Sequence, residues 1–145
     1  MSINLNYYHV ASDVPSNDSD IAVVIDVLRA TTTISWALTN GADSIEVFAD
    51  LDLLKDKAMN WEPSKRLMLA ERGGKKINGF DLGNSPLSVK KDVVLGKRLF
   101  MSTTNGTKAL QKVEDIKYLF SMALTNRKAV AERIISLNKN NILIL

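Results

Sequence analysis

At 145 residues, 46% hydrophobic and 24% charged, the chain is long enough for one substantial core built around a single sheet. It has no cysteine and a lone histidine, His9, which excludes disulfides, cysteine or His-rich zinc sites, thiolate nucleophiles and two-histidine mechanisms. The net charge of +3 divides unevenly, with 3 basic against 9 acidic residues over 1–60 and 16 against 7 over 61–145, as a local positive field for an anionic ligand would require.

Ile3 to Val10 alternates Ile3, Leu5, Tyr7 and His9 with other residues, mostly polar, as a half-buried edge strand does. A loop from Ala11 to Asp20, rich in Ser, Asp and Asn, leads into Ile21 to Ile25, apolar throughout and therefore a strand buried on both faces. Thr31 to Asn40 reads as a helix that Gly41 ends in the left-handed conformation. Ser44 to Phe48 is the next strand. A helix capped by Asp50 or Asp52 then runs to about Asn60, and Arg66 to Ala70 is the third buried strand. Glu71 to Pro86 is a long loop dense in glycine. After it come a strand at Arg98 to Ser102, a helix at Asn105 to Val113, a strand at Lys117 to Ser121, a helix at Thr125 to Leu137 and a last strand from Asn141.

This alternation predicts an α/β fold, a mainly parallel or mixed sheet with helices on both faces, in one domain spanning 1–145. Because the sequence stops inside the apolar run Ile142 to Leu145, the expectation is a C-terminally truncated, N-terminal part of a longer protein. Its last strand would leave an open, aggregation-prone edge. No apolar run approaches the ~18 residues that span a bilayer, and no basic stretch precedes an apolar one at the N-terminus. No membrane partner and a cytoplasmic location are expected. The lysines come singly or in pairs without an aromatic-rich or recognition-helix pattern, so no nucleic-acid partner is expected either. A homo-oligomer is compatible with the composition.

In open α/β sheets ligands bind beyond the carboxyl ends of the strands, and three such ends are chemically loaded. The first runs Asp26-Val27-Leu28-Arg29-Ala30-Thr31-Thr32-Thr33, the second Glu71-Arg72-Gly73-Gly74, the third Ser102-Thr103-Thr104-Asn105-Gly106-Thr107. Asp26 and Glu71 are candidate Mg²⁺ ligands, since that ion accepts one or two carboxylates with waters and phosphate oxygens; either could instead be nucleophile or base. The structural alternative is that Asp26 caps the following helix and Glu71 pairs with an arginine. Arg29 and Arg72 offer bidentate forks for anions. Thr31, Thr32, Thr103, Thr104, Asn105, Gly106 and Thr107 lie where helices begin and could receive a phosphate on free backbone N–H groups, or could serve as ordinary caps. The loop Arg72 to Pro86, with Asn84 and Ser85, is placed to cover a site and lacks the P-loop pattern.

These segments, with Val24-Ile25-Asp26-Val27-Leu28-Arg29-Ala30-Thr31-Thr32-Thr33, with Glu71-Arg72-Gly73-Gly74 continuing to Gly79-Phe80-Asp81-Leu82-Gly83-Asn84-Ser85-Pro86, and with Thr103-Thr104-Asn105-Gly106-Thr107, resemble the 2-phosphosulfolactate phosphatase family in order and approximate spacing. The resemblance implies Mg²⁺-dependent hydrolysis of a small anionic phosphoester, 2-phosphosulfolactate, to sulfolactate and phosphate, in coenzyme M biosynthesis. It also implies further strands and acidic residues beyond Asn141. Two alternatives stand beside it. One is a haloacid-dehalogenase-like aspartyl-phosphate phosphatase, which needs a second aspartate where this chain has Leu28. The other is a fragment that binds an anion without turning it over.

Overall fold

The computed structural model describes residues 2–15 and 19–145; residues 16–18 of the expected Ala11–Asp20 loop lie outside the described residues. Among the described residues the strands are β1 (Asn4–Tyr7), β2 (Ile21–Ile25), β3 (Ser44–Val47), β4 (Arg66–Arg72), β5 (Lys75–Lys76), β6 (Arg98–Ser102), β7 (Tyr118–Met122) and β8 (Asn141–Ile144). The helices are α1 (Ala30–Thr39), α2 (Leu51–Met59), α3 (Lys91–Val94), α4 (Gly106–Lys112) and α5 (Arg127–Ser136). The chain therefore has the α/β architecture its sequence pattern calls for. Of the two candidate caps, Asp50 starts α2, its Oδ1 accepting from the N–H groups of Asp52 and Leu53 at 2.8 Å each. Gly41 closes α1 at φ 91°, a conformation a side chain would strain.

The strands form two hydrogen-bonded sheets rather than one. The first has the order β1-β8-β2-β7, with every pairing parallel. The second runs β3-β6-β4-β5, parallel except where β5 folds back antiparallel on β4. That hairpin replaces part of the expected 71–86 loop. The expectation of a single sheet fails for a nonlocal reason: α1 and α4 touch strands of both sheets and pack into a core that the two share.

Side-chain alternation divides the apolar residues among three clusters. Ala22 and Val24 of β2, Leu143 of β8, Leu67 and Leu69 of β4, and Leu99 and Met101 of β6 enter the shared core with Ala30, Ile34 and Leu110. The opposite faces of β2 and β8 put Ile21, Val23 and Ile142 with Val130 of α5. Those of β4 and β6 put Ala70 and Phe100 with Leu54 and Ala58 of α2. Strands buried on both faces carry continuous apolar runs for this reason.

Two sequence expectations need correcting. β8 lies between β1 and β2, with Ile142, Leu143 and Leu145 buried, so neither of its edges is open; β1 and β7 are the sheet's edges. β1 is indeed an edge strand, but the face formed by Ile3, Leu5 and Tyr7 is mostly exposed, at 62%, 56% and 59%. Tyr8, from the other face, packs on the core. A period of two fixes which residues share a face and leaves the buried face to the neighbouring packing. No helix among the described residues is long and apolar enough to cross a membrane.

Leu143, fully buried on a strand paired on both sides, should be a stability determinant. Leu143→Ala is expected to lower unfolding free energy by about 3 kcal/mol in urea titration; a loss below about 1 kcal/mol would mean that the neighbouring packing collapses to fill the space.

Candidate active site

The parallel strands deliver their carboxyl ends to one cleft of about 800 Å³, lined by Asp26 and Arg29 after β2, Glu71, Gly73 and Gly74 at the end of β4, and Thr104, Asn105 and Gly106 after β6. Asn84 comes from the following loop. The structure thus brings together Asp26, Arg29, Glu71, Asn84, Thr104, Asn105 and Gly106. It does not bring Arg72 there. Adjacent strand residues face opposite ways, and the Arg72 guanidinium donates to the carbonyls of Glu71 and Ala49 and to Ser102 Oγ. Of the two expected forks, only Arg29 lines the cleft.

Glu71 is 5% exposed and heavily hydrogen-bonded. Its Oε1 accepts from Thr104 N–H and its Oε2 from Gly74 N–H, both at 2.7 Å. Gly73 and Gly74, at φ 58° and 80°, make the tight turn that aims the second donor. Gly73 N–H in turn donates to Thr104 Oγ1 at 3.3 Å, and Arg29 Nη2 donates to the Gly74 carbonyl at 3.0 Å.

The threonine clusters serve mainly as caps and turn locks. Thr31 Oγ1 accepts from Asp26 N–H, Thr32 Oγ1 donates to the Val27 carbonyl, and the Asp26 carboxylate takes backbone N–H groups of Ala30 and Arg29. Thr103 and Thr107 cap each other reciprocally, each N–H reaching the other's hydroxyl. Ser85 does not line the cleft; its carbonyl accepts from the Ser88 N–H and hydroxyl. The free helix-start N–H groups expected for a phosphate are therefore engaged at Ala30, Thr31 and Thr107. Asn84 differs: it is buried, lines the cleft, and its Oδ1 has no hydrogen-bond partner among the described residues.

A model of the 2-phosphosulpholactate phosphatase family matches residues 8–145. The chain belongs to this family. It is 61% identical over 144 residues to a probable 2-phosphosulfolactate phosphatase of Prochlorococcus marinus, covering 99% of this chain and 59% of that protein. It is 47% identical over 144 residues to one so named from Gloeothece citriformis, covering 99% and 60%. The chain thus spans about three fifths of the length of the curated relatives it matches.

In this member of the phosphosulpholactate phosphatase family the two carboxylates are electrostatically unlike. Burial is the largest influence on Asp26 and pushes its carboxyl above the ordinary aspartate value. The Ala30 and Arg29 N–H groups and the Arg29 charge oppose the rise, and the Glu71 charge adds to it. Burial also acts to raise Glu71, but the Thr104 and Gly74 N–H groups, the Thr104 hydroxyl and Arg29 together hold it below the ordinary glutamate value. Gly106 keeps this arrangement possible: a Cβ there would lie 2.4 Å from Ala30 Cβ and 2.6 Å from Asp26 Oδ2.

Sequence reasoning missed His9, Ser12 and Lys108, which also line the cleft. The strand-end rule, applied to β1 as it was to β2, would have found the first two. Lys108 lies just beyond the 102–107 segment.

The opposed shifts give opposite pH behaviour. The folded state holds the Asp26 proton more tightly than the unfolded chain, so its contribution is present at acid pH and lost as pH rises through the window above the ordinary aspartate value. Glu71 contributes above the ordinary glutamate value and loses its contribution as pH falls through the lowered one. At pH 7, Asp26→Asn is expected to raise the melting temperature, whereas Glu71→Gln, which sets an amide against an N–H donor, should cost about 1–3 kcal/mol. Changes of the same sign in both variants would contradict this assignment. Gly106→Ala should overpack the α1–α4 contact by about 1–3 kcal/mol, read as a lowered midpoint in urea.

Proposed function

We propose that the protein is a phosphoric monoester hydrolase that cleaves 2-phosphosulfolactate to 3-sulfolactate and inorganic phosphate with the help of Mg²⁺. The observation that carries this reading is the meeting of Asp26, Glu71 and Arg29 in one strand-end cleft, in a chain of this family. Arg29 supplies a planar fork for phosphate oxygens. Thr104, Asn105 and Asn84 supply polar contacts. Thr31, Thr32, Thr103, Thr107, Ser85 and Arg72 act at one remove, by fixing the loops and strands that carry the lining residues.

Among the described residues no group of three His, Cys, Asp or Glu could hold a metal, so a cation here has two carboxylates at its disposal. Mg²⁺ fits such a donor set, because it keeps several waters and shares the substrate's phosphate oxygens. Asp26 and Glu71 would hold it, and the repulsion between them that helps raise Asp26 is what a dication relieves. Bound there, the ion would neutralise charge on the phosphoryl group. In the reaction water adds to phosphorus as the ester P–O bond breaks, and a proton from that water ends on the departing alkoxide oxygen.

The haloacid-dehalogenase alternative has no support at Leu28, which is 90% exposed and carries no acid. The binding-only alternative is separated by turnover. Phosphate release from 2-phosphosulfolactate should require Mg²⁺ and stop in EDTA, and Asp26→Asn should lower kcat by about a hundredfold or more, ~2.7 kcal/mol. The Mg²⁺-dependent rise in melting temperature of the unmodified protein should vanish in the same variant. Activity that persists in EDTA would sink the metal assignment, and anion binding without phosphate release would leave the binding-only reading standing.

A further inference from the structure

Three residues that line the cleft are not used by this reading. The carboxyl end of β1 carries His9 and Ser12 to it, and α4, which touches the 3-10 turn Ala11–Asp13, contributes Lys108. The Lys108 ammonium makes no ion pair or hydrogen bond with a described residue. Arg29, by contrast, is engaged: it donates to Gly74 and lies in the fields of Asp26 and Glu71. Those two are the only acids among the described lining residues. Among the described lining residues two carboxylates thus face the guanidinium of Arg29, while Lys108 brings an ammonium that forms no ion pair with a described residue; Asp13, in the turn that α4 touches, accepts from the Ser12 hydroxyl.

His9 lines the cleft from the carboxyl end of β1. Its Nδ1 lies 3.2 Å from the Tyr7 hydroxyl, and the two rings meet edge to face with centroids 4.7 Å apart. Both residues are exposed, and Nε2 has no hydrogen-bond partner among the described residues. The volume of about 800 Å³ falls in the range, roughly 300–1,000 Å³, of cavities that enclose whole small ligands. The anionic groups of one ligand repel one another when gathered at a single cationic point. A second group therefore has reason to lie beside Lys108.

We propose that Lys108 and His9 form a second anion subsite, which takes the carboxylate or sulfonate of the substrate that is not transferred. The assignment rests on the phosphatase reading for the identity of its ligand, and its test is independent of turnover. Binding of 3-sulfolactate, which carries the acidic groups without the phosphate, and of inorganic phosphate is measured by calorimetry in the presence of Mg²⁺. Lys108→Ala and His9→Gln should each weaken 3-sulfolactate by about tenfold or more, ~1.4 kcal/mol, and leave phosphate affinity within about twofold. Lys108→Arg should restore most of the loss. Either single loss variant leaving 3-sulfolactate binding unchanged, or shifting both ligands alike, overturns the subsite. Failure of the unmodified protein to release phosphate would refute the phosphatase reading and leave this binding comparison intact.

Discussion

A carboxylate as buried as Glu71 stays charged only if donors replace the water it has lost. Glu71 has two backbone N–H groups at 2.7 Å, one from the β4–β5 turn and one from the segment after β6. The turn so fixed offers the Gly74 carbonyl to Arg29, which belongs to the connection after β2 in the other sheet. One desolvated acid thereby ties three strand ends and both sheets around the cleft. The glycines at 73 and 74 are the local condition for this, since both sit at positive φ, where a side chain would be strained.

The elements themselves were legible because burial on two faces writes itself into composition. Ile21 to Ile25 and Leu99 to Met101 are apolar at every position, and the structure divides their side chains between cores on either side, except Ile25, which lines the cleft and is 36% exposed rather than buried. Helix ends were legible where a single residue sets the geometry, as at Asp50 and Gly41. What the sequence hid was pairing. Nothing local says that β8 inserts between β1 and β2, or that the strands divide into two sheets sharing α1 and α4. The short α3 and the two-residue β5 carry too few residues for any periodicity to register.

The site was half legible for related reasons. Asp26, Glu71 and Arg29 could be read from the rule that places ligands beyond strand ends. Glu71 and Arg72 are adjacent, and their order alone does not say which faces the cleft; the alternation of β4 sends one there and the other toward Ser102 and Ala49. The threonines were ambiguous because capping and anion binding demand the same residue at the same place. Here the local hydrogen bonds have taken Thr31, Thr103 and Thr107.

The formal charges on the cleft wall also explain why a divalent cation belongs in the proposal. Among the described lining residues Asp26 and Glu71 offset Arg29 and Lys108, with His9 counted neutral, so a phosphate dianion would meet no net charge on them. The basic excess of residues 61–145 sits partly on exposed side chains such as Lys75 and Lys90, where screening limits its reach to about 10 Å. That excess can steer an anion to the mouth. It cannot hold one against two carboxylates. A Mg²⁺ ion held by Asp26 and Glu71 would make the described wall net positive, and such a wall would favour a ligand with more than one negative group.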